Sequence, residues 1–145
     1  MVPGVVALII GVALSAEVSL HEQNRMHSLI LGSLMLVIGY QMLLAGLYFA
    51  AYGVAYGVSS SSKLTKKLMS YHSLEKELLL GFLLIAFGVA LGVEVLFGWR
   101  ATGFGALYQT QNAMMALILS ILGIQTIFSG MFLSLLLLNN GTKAD

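Results

Sequence analysis

Few side chains in this sequence are able to do chemistry. Glu17 and Glu94 each stand inside an apolar run, and an ionisable group within a membrane span is a functional suspect because it is costly to keep there. Their depth moderates the suspicion. Fourteen residues separate Pro3 from Glu17 and sixteen separate Leu78 from Glu94, about 21 Å and about 24 Å of helix. In a hydrocarbon core about 30 Å thick both carboxylates fall near the far end. There they reach headgroups or, for Glu17, His21 one turn away. Interfacial structure is their first reading, and a polar site at an outer mouth the second.

The other candidates are weaker as chemistry. His21, Glu22 and His27 are metal-ligand types, but two histidines six positions apart set no coordination geometry. They read as a solvated turn. Lys63, Lys66 and Lys67 suit contact with a lipid phosphate or headgroup, since each basic residue near an anionic surface contributes about 1 kcal/mol. Marking the cytoplasmic side is an equally good account of them. Gln41 and Gln125 are polar residues inside apolar runs and read as interhelical hydrogen-bonding groups. Glu75 and Glu77 project about 200° apart on a helix and do not converge. Asp145 is the only aspartate and there is no cysteine, which excludes disulfides, thiolate metal sites and thiol nucleophiles. No phosphate loop or nucleophile motif is present. The expectation is no catalytic residue, no metal and no cofactor.

The elements holding these residues follow from composition. Of 145 residues 59% are hydrophobic and 9% charged, against about 25% charged in soluble domains. A membrane helix needs about 20 apolar residues, and four stretches qualify: 2–18, 29–56, 78–97 and 113–138. Net charge of +1 leaves no nucleic-acid footprint. The fold class expected is an all-α membrane protein of four transmembrane helices. The first stretch lacks the basic flank of a signal peptide and is expected to be retained. The middle connection carries Lys63, Lys66, Lys67 and Lys76, whereas the first and third carry one basic residue each, Arg25 and Arg100. The lysine-rich connection is therefore cytoplasmic, as are both termini. Within it Leu64, Leu68 and Tyr71 fall at helical spacing, which predicts a short helix lying in the interface.

The sequence also repeats itself. Gly4, Gly11 and Glu17 recur as Gly81, Gly88 and Glu94, and Gly39, Gln41 and Gly46 as Gly123, Gln125 and Gly130. This predicts one membrane domain of two tandem hairpins of equal orientation: repeat 1 over about 1–58, a basic connection over about 59–77, repeat 2 over about 78–138 and a tail, 139–145. Such a parallel repeat gives no support to the inverted halves of many transporters. Gly32, Gly39, Gly46 and Gly53 recur every seven residues, as do the pairs Gly4 and Gly11, Gly81 and Gly88, and Gly123 and Gly130. Because burying leucine does not drive association in lipid, small residues on one face read as seams where helices approach closely.

Several segments carry a resemblance. They are Val2-Pro3-Gly4, Leu31-Gly32-Ser33-Leu34 with Gly39-Tyr40-Gln41, and Leu74-Glu75-Lys76-Glu77-Leu78-Leu79-Leu80-Gly81. Trp99 with Gly103-Phe104-Gly105, and Leu122-Gly123-Ile124-Gln125 with Phe128-Ser129-Gly130-Met131-Phe132-Leu133-Ser134, complete the set. In order and spacing the chain resembles the C-terminal membrane region of family-2 glycosyltransferases of the polyprenyl-phosphate (dolichyl-phosphate) hexose or mannose synthase type. Lys76 stands where that family usually has arginine, and Glu77 where it often has glycine. The family's cytoplasmic domain, with its nucleotide-sugar and metal site built on Asp-x-Asp, has no counterpart in these residues. The resemblance implies a non-catalytic membrane module that anchors or organises a separate cytoplasmic transferase and contacts polyprenyl phosphate, with membrane lipid around it. Two alternatives stand beside it: a small accessory subunit of another membrane complex, and a component that flips or transports lipid-linked sugars.

Overall fold

The computed structural model describes residues 2–20, 26–56, 74–105 and 109–141. They form four helices: α1 (Val2–Leu20), α2 (Met26–Ala55), α3 (Leu74–Ala101) and α4 (Thr110–Gly141). No strand occurs among the described residues. α2, α3 and α4 are long and apolar enough to cross a membrane, whereas the described apolar stretch of α1, Val2–Glu17, is shorter. The protein is therefore an integral membrane protein with three helices of spanning length among the described residues, and the fourth crossing expected from the sequence is not among them.

Local chemistry explains the helix limits. Pro3 sits in the first turn of α1, where its missing N–H costs no intrahelical bond. α3 begins at Leu74. Glu75 and Glu77 lie in its first turn and Arg100 in its last, each opposite in sign to the helix-dipole end it faces. α3 also outruns the expected limit at 97. It closes where Gly103 (φ 70°) and Phe104 (φ 60°) turn left-handed. Their amides then bond back to the Arg100 and Trp99 carbonyls at 3.0 Å, satisfying acceptors the helix end leaves open. The interfacial helix expected around Lys63, Lys66 and Lys67 lies outside the described residues.

Packing is by pairs. α1 packs along α2, α3 along α4, and the pairs meet through α2 and α4. The first crossing is backbone against backbone. A Cβ added at Gly39 would stand 2.6 Å from the Leu8 amide nitrogen and 2.9 Å from the Gly4 carbonyl oxygen. One added at Gly11 would stand 2.6 Å from the Leu36 nitrogen and 2.9 Å from the Gly32 oxygen. In the second pair a Cβ at Gly123 would meet the Gly81 oxygen at 2.7 Å, and one at Gly88 the Ala116 oxygen at 2.9 Å. No side chain fits at these crossings without moving a helix. The outward surface is the reverse: Phe49, Phe82, Phe87 and Phe128 are among many large apolar side chains left exposed. That arrangement suits a solvent of lipid tails, in which tight small-residue contacts, and not leucine burial, favour association.

Candidate functional site

One polar contact joins the two helix pairs among the described residues. Thr126, buried on α4, donates its hydroxyl proton to the Leu122 carbonyl at 2.7 Å. A hydroxyl has one proton to give, so the 2.7 Å contact between Tyr40 Oη and Thr126 Oγ1 has Tyr40 as donor. This bond ties α2 to α4. Ser33 and Ser120 spend their hydroxyls on the Leu29 and Ala116 carbonyls one turn back, the usual way a hydroxyl is satisfied within a helix. Toward the Ala55 end of α2, Tyr48 meets Phe132 edge-on with ring centroids 4.9 Å apart. Ala51 and Leu133 are wholly enclosed nearby.

Glu77 joins this region from α3. Its side chain is half-buried and lies over Gly130, where an added Cβ would come 2.8 Å from Oε2. The absence of a side chain at Gly130 makes room for the carboxylate. Glu75 faces outward, so the two acids diverge.

Gln41 and Gln125 line one cleft with Tyr48 and Phe128, of about 260 Å³. Gln41 is exposed and Gln125 half-buried, and Gln125 Oε1 is buried without a hydrogen-bond partner. The hydrogen bond observed between the pairs is thus made by the residues beside the glutamines, Tyr40 and Thr126. The sequence signal for this bond is a hydroxyl next to each glutamine within an apolar run. Ser15 Oγ on α1 is also buried without a partner.

A longer depression runs along α3 and α4. One part, about 520 Å³, has Gly92, Val93, Leu96 and Ala116 among its walls. An adjoining part, about 320 Å³, is lined by Gly92, Leu96, Trp99 and Gly105. Trp99 donates its indole N–H to the Gly105 carbonyl at 2.8 Å and packs edge-on against Phe104, centroids 5.0 Å apart.

Glu17 and Glu94 are both exposed, on α1 and α3. Gly32, Gly39, Gly53, Gly81, Gly88, Gly123 and Gly130 are buried and Gly46 half-buried. Lys63, Lys66 and Lys67 lie outside the described residues, as do His21 and Glu22. Among the described residues no three His, Cys, Asp or Glu side chains are grouped to hold a metal ion.

The family model for the glycosyltransferase family 2 C-terminal transmembrane region matches residues 47–137. The chain belongs to that family. The match begins near the Ala55 end of α2 and runs through α3 and α4 to Leu137. It thus takes in the Glu77–Gly130 contact, Thr126, Gln125 and the Trp99 turn of this family 2 transmembrane region. No curated protein matches the chain, and no solved structure matches it.

Proposed function

We propose that this family 2 transmembrane region is the non-catalytic membrane module of a lipid-linked glycosyltransferase system. It anchors or organises a cytoplasmic transferase and contacts polyprenyl phosphate. The family match over 47–137 carries the reading. Further support comes from three helices of spanning length among the described residues and from the Tyr40–Thr126 hydrogen bond that ties the two helix pairs together.

In this reading the chain is one membrane domain of two tandem hairpins. The crossings of Gly4 with Gly39 and of Gly81 with Gly123 occupy corresponding places in the two sequence repeats, which supports duplication. α1, with 19 residues, extends about 28 Å and supplies the fourth crossing beside α2. Both termini and the lysine-rich connection then face the cytoplasm, with Lys63, Lys66 and Lys67 at the lipid phosphate and Glu17 and Glu94 at the opposite mouth.

The test is binding to vesicles that contain polyprenyl phosphate. Replacing Lys63, Lys66 and Lys67 with glutamine removes three contributions of about 1 kcal/mol each, so affinity falls by up to about a hundredfold. Unchanged binding refutes the assignment. One observation favours a second reading, the accessory subunit. Gln41 is exposed on a spanning helix, and a partner helix bearing a donor would satisfy its carboxamide oxygen. Stable isolation with a complex lacking any transferase supports that reading instead.

A further inference from the structure

The two helix pairs differ in one respect that bears on lipid. In the first pair, four residues beyond Gly11, Ser15 closes the seam: a Cβ at Gly32 would meet Ser15 Oγ at 2.7 Å. In the second pair, four residues beyond Gly88, stands Gly92, whose added Cβ would meet, among the described residues, only the Ala116 methyl, at 3.8 Å. The backbones are pressed together at Gly88, whereas at Gly92 an added Cβ would be in no more than ordinary contact, and the depression described above runs past both glycines. Eleven residues separate Gly88 from Trp99, so its α3 wall is about 16 Å long. That is close to half of a hydrocarbon core about 30 Å thick, the depth of one leaflet.

Charge sits at one end of the same wall. Val89, Val93, Leu96 and Arg100 follow one another at intervals of four, three and four residues on α3, and such intervals return to one helix face. The stripe is apolar until Arg100, which is exposed in the last turn. Trp99 lies at the same level, and tryptophan favours the membrane–water interface.

We propose that this groove is a binding site for an anionic phospholipid of the leaflet at the Trp99 end. One hydrocarbon chain lies over Gly92 between α3 and α4, and the phosphate pairs with Arg100. The length of the groove selects this occupant. A transmembrane helix would run the full thickness of the bilayer, and its diameter of about 10 Å exceeds what a depression left by one missing side chain admits. The site is separate from the polyprenyl-phosphate contact assigned to Lys63, Lys66 and Lys67.

Trp99 is the only tryptophan in the chain, so it reports on this groove alone. The experiment places the full chain in vesicles of brominated phosphatidylglycerol or brominated phosphatidylcholine, each diluted in unbrominated phosphatidylcholine and free of polyprenyl phosphate. Trp99 quenching then gives the relative affinity of the two lipids at the groove. The expected preference for phosphatidylglycerol is about fivefold, equivalent to the roughly 1 kcal/mol of one basic residue near an anionic surface. Arg100→Gln should bring the ratio to about one. Gly92→Leu should do the same by filling the groove, with helicity checked by circular dichroism. Since Arg100 is exposed, its variant keeps the test decisive should Gly92→Leu fail to fold. A ratio of one in the wild type, or a preference kept in Arg100→Gln, overturns the proposal. So does a Trp99 that neither lipid quenches, which would mean that a polypeptide covers the groove.

Discussion

Alanine at Gly39 and alanine at Gly92 add the same methyl to two membrane helices, yet their consequences should differ. At Gly39 the new Cβ falls 2.6 Å from the Leu8 amide nitrogen and 2.9 Å from the Gly4 oxygen. Both are backbone atoms, so no rotamer change relieves the contact. Restoring an ordinary separation of 3.4 Å requires α1 and α2 to part by about 0.8 Å at the crossing, which loosens the neighbouring contact at Gly11 as well. Forced overpacking of this kind costs about 1–3 kcal/mol. At Gly92 the nearest atom is the Ala116 methyl at 3.8 Å, and no movement is needed. The helix-propensity gain of alanine over glycine, about 1 kcal/mol, is common to both variants and cancels in the comparison. Gly39→Ala should therefore unfold more readily than Gly92→Ala by about 1–3 kcal/mol. Reversible denaturant titration of both variants in the same detergent, followed by circular dichroism, measures that difference. Equal midpoints, or Gly92→Ala as the weaker protein, would refute the close crossing of α1 and α2.

Other outcomes follow from the same contacts. Gly130→Ala should cost less than Gly39→Ala in that titration, because the atom it meets first is the flexible carboxylate end of Glu77. A double-mutant cycle of Tyr40→Phe and Thr126→Val should give a coupling of about 0.6 kcal/mol, and no more than about 1.7, the range measured for hydrogen bonds between membrane helices; zero coupling contradicts the bond. Since the chain has no cysteine, single cysteines at positions 62 and 103 report topology cleanly. The first should react only with reagent admitted to the cytoplasmic side and the second only with reagent outside; reaction from one side at both positions removes the proposed topology.

Much of the fold was legible because membrane helices announce themselves by length and apolarity. α2, α3 and α4 contain the stretches read from the sequence, apart from the last residue of the 29–56 run. Their ends were less legible. Glu75 and Glu77 stand in the first turn of α3, as their suitability for a helix start implies, whereas the other end of α3 runs four residues past its apolar stretch to Ala101. α4 begins at Thr110, three residues before its apolar run, since a helix continues wherever its backbone bonds are satisfied. α1 presents the opposite difficulty, a repeat partner of α3 whose described apolar stretch stops at Glu17.

The site was only partly readable. Gly4, Gly11, Gly39 and Gly81 stood out by spacing, but spacing does not say which helix each glycine meets. Nor does it separate a pressed glycine such as Gly88 from one in ordinary contact such as Gly92. The pairing of Tyr40 with Thr126 is not legible in the sequence, because a single hydroxyl in an apolar run names no partner until two helices bring the pair to 2.7 Å. Glu77 had been set aside for diverging from Glu75; the divergence turns it inward onto Gly130.

The central claim is that this chain serves a glycosyltransferase as its membrane part. Quantitative isolation of the tagged chain from native membranes after mild crosslinking tests it most directly, with the captured material assayed for sugar transfer to polyprenyl phosphate. The account predicts a family 2 transferase with an Asp-x-Asp site in near-equal amount, and transfer activity that disappears when the chain is withdrawn. Recovery of a stable complex without any transferase, in material unable to glycosylate polyprenyl phosphate, would contradict it.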